Sequence, residues 1–306
     1  VAACSLILPL DDQQCSVAAD CAARGGAFTN AACVNHVCVP ASTPTDGGEA
    51  DGGIPPDADP WGCLDNPPEV LDPSQTVKVT FKAFDALSPI TTAGDQGGDD
   101  FTVINCTPVP GISLQACNAL DPDCANPLPN PVAITDDSGV ASVTVPATFA
   151  GFYLFNGPGY LTARVYTGQL LPGAKTFSPP SALLGTQETS LLAQAIGVPI
   201  SLDPDGGVGH AFFQSYDCFD RHAAGVSFSI SSDAGPQTVE WYAKNQLPSR
   251  TSGQTDSLGA GGTVNVPVGA MIVTATLVAT NRKLGEVNTV ITPAGTTFAW
   301  FRVRTH

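Results

Sequence analysis

The sequence predicts an all-β protein: two tandem Greek-key β-sandwiches behind a small disulfide-rich N-terminal module. Three observations carry this expectation. Gly and Pro number 31 and 27 among 306 residues, which suits many turns and short strands better than long helices. From Trp61 onward, short runs alternate apolar and polar side chains, as in Val77, Val79 and Phe81 set between Lys78, Thr80 and Lys82. A passage of about 100 residues also occurs twice, too few copies for a solenoid but fitting two like domains.

Composition bounds the function. Apolar residues make up 43% of the chain, enough for real cores, while charged residues make up 13%, about half the usual share. The net charge of -16, from 12 basic and 28 acidic residues, excludes nucleic acid as a partner, because phosphate contacts need clustered Lys and Arg. It disfavours an anionic membrane surface for the same reason and fits solubility outside the cell. Ten cysteines point to an oxidising compartment and to disulfides. Zinc would want Cys-x-x-Cys knuckles, but the closest cysteines, Cys33 and Cys38, have four residues between them. Met271 is the only methionine, so an upstream signal peptide is expected, and no run of 18 apolar residues suggests a spanning helix.

Residues 1–14 form an N-terminal arm. Its start, Val1-Ala2-Ala3-Cys4-Ser5, resembles the lipobox of bacterial lipoproteins. That resemblance implies a lipid on Cys4, the one membrane link expected. The alternative is an extra disulfide from Cys4, since lipidation leaves an odd number of thiols.

Residues 15–40 form a Cys-rich module holding Cys15, Cys21, Cys33 and Cys38. It is too short to build a core, so cross-links must hold it, each contributing about 2–4 kcal/mol. Of the three pairings, Cys15–Cys33 with Cys21–Cys38 is the expected one. The module resembles short Cys-rich modules near the start of bacterial surface lipoproteins. Residues 41–60 are an acidic Gly/Pro linker by composition, and they lack an Asp-x-Asp-x-Asp-Gly calcium loop.

The first sandwich is assigned to 61–178, with strands at 77–81, 101–105, 112–116, 140–145 and 161–166. A connector over 179–206 carries the one expected helix, Ser181–Ile196, started by Pro179-Pro180 and stopped by Gly197. It should pack across the junction of the halves. The second sandwich is assigned to 207–306, with strands at 211–216, 226–231, 238–243, 263–266, 272–279 and 298–303.

The repeat is clearest at one turn. Thr135-Asp136-Asp137-Ser138-Gly139 leads into a strand ending Val145-Pro146, and Thr255-Asp256-Ser257-Leu258-Gly259 leads into one ending Val266-Pro267. Asp caps such a turn, Gly takes the positive φ, and Pro ends the ladder. Upstream, Asn105-Cys106 before Gly111-Ile112 corresponds to Asp217-Cys218 before Gly225-Val226. These motifs resemble the carboxypeptidase regulatory-like family, with its transthyretin-like or CnaB-like sandwich, over about 70–176 and 207–304. The resemblance implies sandwiches of the transthyretin-like or immunoglobulin-like kind, serving as rigid spacers, adhesive stalk units or carbohydrate-binding modules. CnaB-like domains often carry a Lys–Asn isopeptide bond promoted by a buried Glu. Lys78 and Lys82 sit on a first strand, but no Glu occurs between Glu69 and Glu188, so none is expected here.

Among the remaining cysteines, Cys117 and Cys124 flank a turn and read as a loop staple, and Cys63 with Cys106 would tie the domain entrance to its sheet. Cys218 is then left over, either unpaired or the partner of Cys4.

No catalytic residue, cofactor or metal site is expected. There is no Gly-x-Ser-x-Gly elbow, and His36, His210, His222 and His306 read as surface or chain-end residues. Asp95–Asp100 and Asp203–Asp205 read as turn formers, with a weak calcium site left open. Aromatic residues Phe149, Phe152, Tyr153, Phe155 and Tyr160, and the pairs Trp241-Tyr242 and Trp300-Phe301, should fill the core with one member of each pair facing the other way.

The expected function is a non-catalytic extracellular structural or adhesive protein of a bacterial surface, a subunit of a filament or coat. Its partners are copies of itself or other surface components, and the apolar arm Ser5–Leu10 is a candidate donated strand. The alternative is an outer-membrane lipoprotein that binds polysaccharide or another surface protein.

Overall fold

The computed structural model describes residues 59–65, 72–85, 108–128, 132–168, 180–219, 221–231, 235–244 and 247–303, with Val17, Ala19 and the strand residues 32–34 and 37–39. Residues 8–58 form one unit. In it, β1 (Ala32–Val34) and β2 (Val37–Val39) pair antiparallel and set Cys33 opposite Cys38 along the backbone. Cys4, Cys15, Cys21 and Cys106, linker residues 41–58 and the strand expected at 101–105 lie outside the described residues.

Residues 59–306 belong to the other unit. Its first half holds β3 (Thr76–Asp85), β4 (Ser113–Asn118), β5 (Ala133–Ile134), β6 (Val140–Pro146), β7 (Gly151–Asn156), β8 (Ala163–Tyr166) and β9 (Pro180–Leu183). Helix α1 (Thr186–Ile196) follows. The second half holds β10 (Val208–Tyr216), β11 (Val226–Ile230), β12 (Val239–Lys244), β13 (Leu247–Ser249), β14 (Ala260–Pro267), β15 (Gly269–Leu277), β16 (Arg282–Ile291) and β17 (Thr296–Arg302). The fold is all-β, as expected, and its layers face each other as sandwiches.

In the first half, the sheet β6-β3-β9 covers the strands β8-β7-β4-β5. Val77, Val79 and Phe81 of β3 and Val143 and Val145 of β6 meet Leu114, Tyr153, Phe155 and Val165 in one core. The alternation in β3 is as expected, with Lys78 and Lys82 on its exposed face. In the second half, β14-β10-β17 faces the sheet β11-β15-β16. Ala211, Phe213, Val266 and Phe301 there meet Phe228, Met271, Val273 and Ile291. The halves match in part: β9 runs parallel to β3, as β17 does to β10, whereas β12 and β13 extend β14 and β6 ends its sheet.

The repeated turn closes in the same way twice. Thr135 Oγ1 accepts the Ile112 N–H at 2.9 Å and donates to the Val109 carbonyl at 2.8 Å. Thr255 Oγ1 accepts the Val226 N–H at 3.0 Å and donates to the Ala223 carbonyl at 2.8 Å. Gly139 and Gly259 take φ of 74° and 63°, the left-handed region that disfavours a side chain. Their carbonyls accept from Ala83 and Ser215 on the matching strands, at 2.8 and 2.9 Å.

The halves do not carry separate sheets. A nine-stranded sheet, β13-β12-β14-β10-β17-β8-β7-β4-β5, runs through both. The join is parallel: Thr296 to Ala299 of β17 pair with Ala163 to Tyr166 of β8. Strands buried on both faces lose the alternating pattern, and here β8 is buried at all four positions. In β17, Ala299 and Phe301 enter the second core while Trp300 enters the first.

Three differences from expectation have local causes. The helix begins at Thr186 rather than Ser181, because Pro180–Leu183 pair with Lys82–Asp85 as a strand. Gly197 ends it as expected, at φ 67°. Strand β7 has no readable period because Phe152 packs on Tyr166 behind the sheet while Tyr153 and Phe155 enter the core. Strand β16 is masked by a register shift at Ala275/Thr276, which leaves neighbours Leu284 and Gly285 both buried.

Candidate functional site

The cysteines separate two kinds of cross-link. Cys117 and Cys124 are bonded across the turn, as their spacing suggests. Cys63 is bonded to Cys218, 155 residues away, which corrects both the Cys63–Cys106 pairing and the reading of Cys218 as unpaired or bound to Cys4. The reason is docking. Trp61, Cys63 and Leu64 pack on the second core, and the Cys218 N–H donates to the Pro60 carbonyl at 2.9 Å. Arg282 of β16 holds the same segment, pairing with Asp65 at 2.7 Å and donating to the Leu64 carbonyl. No local sequence signal marks this partner, because Cys106 and Cys218 occupy equivalent places in the repeat.

His210, expected at the surface, is inside, and His222 is half-buried. His210 is 1% exposed: Nδ1 accepts the Asn265 N–H at 3.3 Å, and Nε2 lies 3.0 Å from the Ser201 carbonyl, so the proton sits on Nε2. Burial lowers its pKa to about 4. Asn265, at φ 55°, completes the knot. Its amide accepts from Ser201 at 2.9 Å and donates to the Pro199 and Gln237 carbonyls at 2.8 and 3.3 Å. This network pins the segment after α1 to the sheet. His222 rests edge-on against Tyr216, and burial lowers its pKa to about 4 as well. Both ring nitrogens of His210 are thus taken up by backbone groups, which commits that ring to holding the chain in place.

The aromatic pairs leave no platform, because both members of each are buried. Tyr242 faces the second core, while Trp241 packs against Leu192 and Ile196 of α1 on the other side of the sheet. Gly261 and Gly262 stand opposite them in β14. A Cβ at either glycine would come within 2.9 Å of the facing ring, so both rings can lie flat over the strand only because those positions are glycine.

Two charged features lie at the join of the halves. Arg164 of β8 is 7% exposed; it donates to Thr292 Oγ1 at 2.7 Å and twice to the Pro122 carbonyl, at 3.3 and 3.2 Å. It thereby fastens the Cys117–Cys124 loop to the second half. The other feature is a carboxyl pair at the start of α1. Glu188 accepts the Gly185 N–H at 2.7 Å and shares a hydrogen bond with Asp85, which also accepts from Tyr160 at 3.2 Å. Burial, with the Asp85 hydrogen bond and charge behind it, raises the Glu188 pKa.

Among the described residues, no group of three or more His, Cys, Asp or Glu is placed to hold a metal ion. Asp203 uses its carboxylate on the Asp205 N–H at 2.9 Å, the turn-forming role expected for it. Asp95–Asp100, His36 and His306 lie outside the described residues.

No family model matches the chain, and no curated protein does. Among solved structures, it is similar to the shaft pilin SpaA of Lactobacillus rhamnosus GG, at 15% identity over 74% of this chain and 98% of that one, with a TM-score of 0.22. It is similar to GBS52, a minor pilin of Streptococcus agalactiae, at 13% identity over 73% and 93% of the two chains, TM-score 0.21. The Bacillus anthracis TIE protein gives 12% identity and a TM-score of 0.23; the match covers 74% of this chain but 33% of that protein. Overlaps this small carry no argument about role, so the reading of function rests on the residues themselves. No helix among the described residues is long and apolar enough to cross a membrane.

Proposed function

We propose that the protein is a non-catalytic structural or adhesive component of a bacterial surface, working through its outer face as a subunit of a filament or coat. The observation that supports this most is where its polar chemistry goes. His210, Asn265, Arg164, Thr135 and Thr255 are all buried and committed to holding backbone in place. The two disulfides among the described residues fit an oxidising exterior. The twice-used Thr-Asp-x-x-Gly turn supports kinship with carboxypeptidase regulatory-like sandwiches. In this reading 15–40 is a cysteine-rich module on the tether 41–60, and 61–178 and 207–306 are two sandwiches about the connector 179–206. Its partners are copies of itself or neighbouring surface components.

Two measurements test the proposal together. Antibody labelling of intact source cells should stain the surface without permeabilisation, and light scattering of the purified full chain should find assemblies larger than one chain. Staining that needs permeabilised cells overturns the surface location. A strictly monomeric chain at high concentration overturns the filament or coat.

A further inference from the structure

The geometry points to a pendant arrangement: residues 59–303 hang from one end, with the chain entering and leaving side by side, and are not a link spanning two attachment points. The chain enters through Pro60 to Leu64, which Cys63 bonds to Cys218, just beyond the C-terminal end of β10. It leaves from the C-terminal end of β17, at Arg302 and Val303. These two strands are parallel neighbours, with Tyr216 opposite Arg302. Val303 and Cys218 share one core with Trp61, Cys63 and Leu64.

Adjacent strands lie about 4.8 Å apart, and the Cα atoms of the Cys63–Cys218 bridge are 5.7 Å apart. The two ends therefore sit within about 2 nm of each other, at one edge of the structure.

This placement sets the path of any tension along the chain. A pull arriving at residue 59 crosses the disulfide to Cys218 and then the β10–β17 ladder to Val303. Strands β3 to β9 lie inside the covalent loop from Cys63 to Cys218, off that path except where β17 pairs with β8 and Trp300 enters the first core. Strands β11 to β16 stay unloaded until β10 and β17 separate. A stalk link loaded through its chain ends needs them at opposite ends of its sheets, whereas the segments at 60–64 and 302–303 lie at the same end. At the end away from both attachments lie the β7–β8 turn at Gly157–Gly159, the turn at Asp203–Gly207 and the β16–β17 turn at Thr292–Gly295. Those loops form the outward end of a displayed body. The inference stands on connectivity and strand order alone and does not depend on the proposed filament or coat.

Optical-tweezers pulling on the full chain, with click-reactive handles at Asp59 and after His306, tests it. Under oxidising conditions, complete unfolding should lengthen the tether by only about 30 nm, the extended length from Cys218 onward. Adding reductant should release the loop of 155 residues and raise the gain to about 85 nm. Dyes on the same two sites of the folded, oxidised chain should report a separation below about 3 nm. A gain of about 85 nm without reductant, or a folded separation above about 4 nm, overturns the inference.

Discussion

Replacing Thr135 with valine isolates the bond that closes the repeated turn. The side chain is 3% exposed, and valine has nearly the same shape. The change removes a hydroxyl that accepts from Ile112 at 2.9 Å and donates to Val109 at 2.8 Å, and among the described residues no other bond to that N–H or that carbonyl is seen. Each buried group left without a partner costs about 1–3 kcal/mol. Two such groups cost about 2–6 kcal/mol, and allowing about 1 kcal/mol back for the extra apolar methyl, the net loss is about 1–5 kcal/mol. Thr135→Ser keeps the hydroxyl and loses a methyl, for about 1 kcal/mol. Thr255→Val should cost as much as Thr135→Val, because its hydroxyl bonds to Val226 and Ala223 in the same pattern. The double variant should be close to additive, since the two sites share no partner. Urea titration followed by tryptophan fluorescence reads these differences at constant slope. A loss below about 0.5 kcal/mol for Thr135→Val, or a Thr135→Ser variant as unstable as Thr135→Val, refutes the reasoning.

Three further outcomes follow. His210 and His222 have folded-state pKa values near 4 against 6.5 unfolded. The unfolded chain therefore binds more protons between those values, and the stability they contribute, up to about 3 kcal/mol each, is complete above pH 6.5 and is lost as pH falls toward 4; a urea midpoint unchanged from pH 7 to 4.5 contradicts this. Glu188 has the opposite sign: its raised pKa means stability is lost as pH rises past the unfolded value, so Glu188→Gln, which keeps an acceptor for Gly185, should stabilise at pH 7 and have little effect below pH 4 in the same titration. Gly259→Ala should lower the thermal midpoint by several degrees, because its φ is 63° and a Cβ would lie 2.5 Å from the Ser215 carbonyl; scanning calorimetry showing no loss would count against the tight turn.

Much of the fold could be read from residue order because it is local. The alternation in β3, the Gly197 helix stop and the Cys117–Cys124 staple each need only a few neighbouring residues. The repeat was legible because the same turn solves the same backbone problem twice, with Thr135 and Thr255 in identical roles. The burial of His210 was not legible. Nothing near His210 in the sequence shows that Asn265 and Ser201 will enclose it.

Residue order by itself determined that this chain makes two like β-layered halves stitched by cystine, because strand period, turn chemistry and thiol abundance act over short range. Only the tertiary structure decided that the halves share a sheet and that Cys63 reaches Cys218. Both depend on which edges and cores meet once strands far apart in the chain have folded. The run Phe298-Ala299-Trp300-Phe301 carries that decision: its unbroken apolar character records burial on two sides, while the identity of the two cores it joins is fixed by packing alone.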